Sequence, residues 1–135
     1  MARYEEWIAR AKSALELAQL KSIKHIYYED FCFQLQQAVE KAIKGLLIYF
    51  KVEPEFTHNI EKLLEELKPL VGIPENIIKS SSLTKYAVFT RYPGEFDEVT
   101  KDEYEVSVKI AQECLEWVES TIKEIEDKSH ETAKP

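Results

Sequence analysis

The sequence predicts an all-α fold, an antiparallel bundle of about five helices. Three observations lead there. Apolar residues recur at steps of three and four over long stretches, the spacing of one helical face. The internal prolines Pro54, Pro69, Pro74 and Pro93 fall between those stretches. The only run with β character, Val88-Phe89-Thr90, has no second strand to pair with.

The first helix is expected over about residues 2–23. Tyr4, Ile8, Ala11, Leu15 and Ala18 share one face, and Trp7, Ala14 and Leu17 widen it. The second, about 26–52, is the most apolar. Phe31, Leu35, Ala38, Ala42 and Leu46 form one stripe, and Cys32, Val39, Ile43, Leu47 and Phe50 form another beside it. Asp30, Gln34, Gln37, Lys41 and Lys44 remain as a narrow polar strip, with the lysines expected to be solvated if they bind nothing. An apolar arc this wide must be covered on more than one side. This is therefore the central helix, and it is expected also to supply a subunit contact.

Thr57 is the expected N-cap of a third helix, from His58 to about Leu70, with Ile60, Leu63, Leu64 and Leu67 facing inward. Pro74 suits the first position of a short helical turn, and Ser80-Ser81-Ser82 reads as linker. A short helix then uses Leu83, Tyr86 and Ala87, and Pro93-Gly94 stops it. Thr100 and Glu103 match a capping box. After it Tyr104, Val108, Ala111, Leu115, Val118, Ile122 and Ile125 alternate steps of four and three, predicting a helix of ~38 Å at 1.5 Å per residue. The domain spans 1–127, and residues 128–135 read as a polar, frayed tail.

At 135 residues the chain is one domain with one core. Its composition, 44% hydrophobic and 32% charged, is too apolar for disorder and too charged for a membrane protein. The N-terminus lacks an apolar signal core, which predicts a cytoplasmic protein. A net charge of −7 with interleaved acids and bases argues against strong nonspecific nucleic-acid binding. Cys32 and Cys114 stand apart within apolar patterns and read as core residues.

Several chemistries can be set aside. Three scattered glycines build no phosphate loop. His25, His58 and His130 are the only histidines and none has a second histidine at helical spacing, so no metal or other cofactor is expected. The acids Glu95, Asp97, Glu98, Asp102 and Glu103 lead into a helix N-terminus, where the helix dipole favours negative charge. The serine run has no candidate base near it in sequence.

Taken together, "FCFQLQQAVEKAIKGLLIYFKVEPEFTHNIEKLLEEL", then "LTKYAVFTRYP", then a long helix with "ECLEWVESTI", resembles the HEPN domain family. The resemblance implies a bundle of about five helices that usually forms homodimers. Some members of that family are ribonucleases that pair an arginine with a histidine four to six residues later. Others accompany a minimal nucleotidyltransferase in a two-component, toxin–antitoxin-like system, or bind a nucleotide in a dimer groove. Counting from Arg91, the positions after four, five and six intervening residues hold Phe96, Asp97 and Glu98. Histidine is the natural group to pass protons near neutral pH, and carboxylates there would repel the phosphate. The expectation is a non-catalytic module that binds a nucleotide, serves a nucleotidyltransferase, or both; a divergent ribonuclease toxin and a ligand-free adaptor are the alternatives. No residue is assigned a catalytic role. The candidate nucleotide or phosphate contacts are Arg91, Tyr92, His58, Lys41, Lys44 and Gln37.

Overall fold

The computed structural model describes residues 3–20, 26–89 and 98–133, among which there is no strand. In chain order the elements are α1 (Tyr4–Leu17), α2 (Tyr28–Tyr49), α3 (Ile60–Leu67), α4 (Glu75–Ile78), a 3-10 turn (Lys79–Lys85), α5 (Tyr86–Phe89) and α6 (Lys101–Ala133). α4, the 3-10 turn and α5 follow one another without a break, so the described residues form five helical segments, as the periodicity predicts.

Contacts at the two ends of the bundle give the directions. At one end Tyr4 of α1 stacks edge-on against Tyr49 of α2 at 5.0 Å, and the Tyr49 hydroxyl donates to Glu126 of α6 at 3.0 Å. At the other end the Tyr104 hydroxyl of α6 donates to the Ala18 carbonyl just after α1 at 2.6 Å, and its ring lies 5.2 Å from Tyr28 at the start of α2. α1 is thus antiparallel to both α2 and α6. α2 and α6 run the same way, with the shorter helices carrying the chain back between them.

α2 touches α1, α3, the 3-10 turn, α5 and α6. Its Leu35, Val39, Ala42, Ile43, Leu46 and Leu47 are fully buried. Each large side chain buried in this way contributes about 1.5–3 kcal/mol. α1 lies close against it at Gly45, where the absence of a side chain leaves room for Trp7 and Ile8 of α1. A Cβ at Gly45 would come within 3.1 Å of Trp7 Cβ and 3.2 Å of Ile8 Cγ1. Leu17, expected to widen the buried face of α1, is instead 46% exposed at the end of the helix. Both cysteines are core residues, and burial pushes their thiols up, to about 11 for Cys32 and about 12 for Cys114.

The helix ends depart from the expectations in instructive ways. α2 stops at Tyr49 because Lys51 turns left-handed (φ 64°); the Lys51 and Val52 amides then donate to the carbonyls of Ile48 (2.8 Å) and Leu47 (2.9 Å). Asn59, not Thr57, caps α3 by accepting from the Lys62 amide at 3.3 Å. Thr57 instead accepts from the Asn59 amide at 3.1 Å, and Thr84 accepts from the Ile60 amide at 3.1 Å. Pro74 is the N-cap of α4 rather than its first residue. The serine run is no linker, since Ser80 is fully buried and donates to the Ile77 carbonyl at 2.6 Å. Thr100 accepts from the Glu103 amide at 3.1 Å as expected, and its hydroxyl faces the Glu103 carboxylate at 3.4 Å. α6 continues to Ala133, about 50 Å in all, so residues 128–133 are helical where a frayed tail was expected.

Candidate functional site: a buried carboxylate holding an exposed histidine

Gln36, Glu40 and Lys44 recur every fourth residue and so share one line along α2. They sit inside the bundle, with 0%, 3% and 8% of their surfaces exposed. A polar line can be buried only if its members satisfy one another. Glu40 is the hub. Its Oε1 accepts from Gln36 Nε2 at 3.0 Å and from His58 Nδ1 at 2.8 Å, and its Oε2 accepts from Lys44 Nζ at 3.0 Å. Gln36 Nε2 also donates to the His58 carbonyl at 3.1 Å, tying the α2–α3 connection to α2. Gln37 extends the network by donating to Gln36 Oε1 at 2.7 Å. The Lys44 ammonium lies 5.8 Å from the Trp7 ring centroid, so its second neighbour is an aromatic face.

Burial by itself would raise the Glu40 pKa. The hydrogen bonds from Gln36, His58 and Lys44, and the Lys44 charge, outweigh that, and the carboxyl is held below its ordinary value. At neutral pH Glu40 is therefore ionised and can only accept. The His58 side chain, by contrast, is 66% exposed. A buried anion gripping one nitrogen of an exposed imidazole is an arrangement that sets which nitrogen carries the proton.

The predicted contacts divide accordingly. His58, Gln37 and Lys44 are brought together, through Glu40 and Gln36, two residues that the sequence reading left unassigned. Lys44 is buried and bound to Glu40, so it is not the solvated lysine of a polar strip. Lys41 is half-buried, next along α2, and has no acidic partner among the described residues. Arg91 and Tyr92 lie outside the described residues, as do His25, Thr90, Pro93, Gly94, Glu95, Phe96 and Asp97. The signal that pointed to Glu40 was present in the sequence: a Gln, Glu, Lys series at four-residue spacing on the helix read as most deeply covered.

Two open clefts lie elsewhere. One, of about 280 Å³, runs between the 3-10 turn and the start of α6 past Lys85, Tyr86, Asp102, Glu103 and Ser107. The other, of about 330 Å³, lies between α1 and α6 beside the Lys12–Glu119 ion pair. No group of three histidine, cysteine or acidic side chains among the described residues could hold a metal ion. None of the described helices is long and apolar enough to cross a membrane.

Comparison with known proteins bears on this architecture. A curated relative from Methanocaldococcus jannaschii, named "Putative toxin MJ1304", is 32% identical over 133 residues, covering 87% of each chain. The crystal structure of TT1696 from Thermus thermophilus superposes with a TM-score of 0.77 at 33% identity, over 89% of this chain and 98% of that one. That of ST0689, described as an archaeal HEPN homologue, gives a TM-score of 0.71 at 32% identity, over 90% and 99%. The family model for the HEPN domain matches residues 4–121, from the first residue of α1 to well into α6. With the fold and the family model in agreement, the chain belongs to the HEPN domain family.

Proposed function

We propose that this chain is a HEPN module that works without the family's arginine–histidine cleavage pair. It binds a nucleotide, and it serves as the partner subunit of a minimal nucleotidyltransferase in a two-component system of toxin–antitoxin type. The observation that carries this reading is the identity of the residues that follow Arg91. Phe96, Asp97 and Glu98 occupy the positions where a cleaving member needs its histidine. The name of the M. jannaschii relative supports the system-level part. Arg91, Tyr92, His58, Lys41 and Gln37 are the ligand contacts in this reading. Lys44 acts on them indirectly, as the counter-charge that lets Glu40 stay ionised inside the bundle.

A tagged pull-down from the native host tests the partner role; recovery of the chain without a nucleotidyltransferase would remove it. Titration calorimetry with ATP, GTP and their monophosphates tests the ligand, and absence of heat with all of them would exclude it. The module acts as a homodimer in this reading, and light scattering that reports a monomer at micromolar concentration would contradict that.

The Glu40–His58 pair favours a second reading, an RNA-cleaving toxin with a relocated base. It requires purified protein to degrade single-stranded RNA and His58→Ala to abolish that activity while the helical circular-dichroism spectrum stays unchanged.

A further inference from the structure

We infer that His58 recognises a ribose hydroxyl of the bound nucleotide through its Nε2 lone pair, with Glu40 and Gln36 as the residues that position it. The inference rests on the nucleotide-binding reading above and specifies which part of the nucleotide this histidine touches.

Glu40, ionised and buried, has no proton to give, so the hydrogen in the 2.8 Å contact belongs to His58 Nδ1. A neutral imidazole protonated at Nδ1 has only a lone pair at Nε2. No described residue bonds Nε2, and the side chain is 66% exposed. The bond from Nδ1 to Glu40 holds the ring, and Gln36 Nε2 fixes both the Glu40 carboxylate and the His58 carbonyl. In that neutral form the lone pair is presented outward, opposite the nitrogen held by Glu40. A lone pair repels a phosphate oxygen and accepts from a hydroxyl. The role read for His58 from the sequence, a phosphate contact, changes accordingly. In its neutral form this histidine selects the sugar, and phosphate is left to the arginine and lysine among the candidates. A ribonucleotide donates such a hydroxyl and a dideoxynucleotide has none, so the site discriminates between them.

Calorimetry on the full chain compares ATP and GTP with their 2′-deoxy and 2′,3′-dideoxy forms. Loss of the recognised hydroxyl is expected to weaken binding about five- to tenfold, the worth of one neutral hydrogen bond. His58→Ala, which leaves the Glu40–Lys44 pair in place, is expected to bind ribo and dideoxy forms alike. Two-bond proton–nitrogen correlation on the wild type is expected to show Nε2 as the bare nitrogen and to shift it when ATP is added. Equal affinity across the deoxy series, or a proton found on Nε2 of the free protein, would overturn the ribose contact and leave nucleotide binding standing. Absence of binding by every nucleotide would overturn both.

Discussion

α2 and α6 are the two longest helices, and they meet the problem of burial in opposite ways. α6 presents one stripe to the core, with Ala111, Leu115, Val118 and Ile122 buried, while Glu105, Glu116, Lys123 and Glu124 face water. α2 is covered by every other helical segment, and its buried residues include Gln36, Glu40 and Lys44. A one-sided helix sends its charges to solvent and needs no internal partners. A surrounded helix has less room for that, so each polar group it buries must be met inside the protein. The polar line of α2 is the only place along the two helices where an ion pair is buried among the described residues. It is also where an exposed histidine is held in one orientation.

That contrast can be broken at several points. Glu40→Ala should have the largest effect, because it leaves the Lys44 charge buried without a partner; a loss of about 3–5 kcal/mol in urea denaturation is expected. If the loss fell within the ~1 kcal/mol of a surface pair, burial of the network would not matter. The same residue gives a pH signature. Its folded-state pKa lies below its unfolded value, so the stability it contributes is full above the unfolded value. That contribution is lost as pH falls through the folded one, because the unfolded chain takes up the proton first. Glu40→Gln should flatten this acid limb of the stability profile, and an unchanged limb would assign it to other carboxylates.

Next in size is Leu46→Ala, at a fully buried position of α2, which should cost about 3 kcal/mol in the same measurement. Leu115→Ala on α6, where the residue is 6% exposed, should cost less, and the reverse order would mean α6 is the more tightly covered helix. Thr100→Ala removes the N-cap of α6 and should cost about 1 kcal/mol. Smallest, and opposite in sign, is Lys51→Gly. It relieves a left-handed residue at the end of α2 and should raise stability by about 0.5–1 kcal/mol, visible as a higher urea midpoint.

The parts legible in the sequence were those set by local spacing. The four-three stepping from Tyr104 to Ile125 predicts α6, and the double stripe of α2 predicts a surrounded helix. The same double stripe should have warned that a lysine on that helix need not reach water. Lys44 was nevertheless expected on a solvated strip, because a charge by itself carries no information about what lies opposite it. Thr57 and Asn59 are both good capping residues, and only the path of the connection decides between them; Thr57 is engaged by the Asn59 amide. The Glu40–His58 bond spans eighteen residues and a loop, so no periodicity reports it.

Sequence by itself determined how many helices form, where the core stripes lie and which family pattern they follow, because those depend on side chains within a turn or two of one another. The tertiary structure alone decided that α2 and α6 run in the same direction and that Gln36, Glu40 and Lys44 are buried together. It also decided that His58 is held by Glu40. Those outcomes depend on contacts between residues far apart in the chain, such as Tyr49 with Glu126 and Glu40 with His58, whose meeting no local preference specifies.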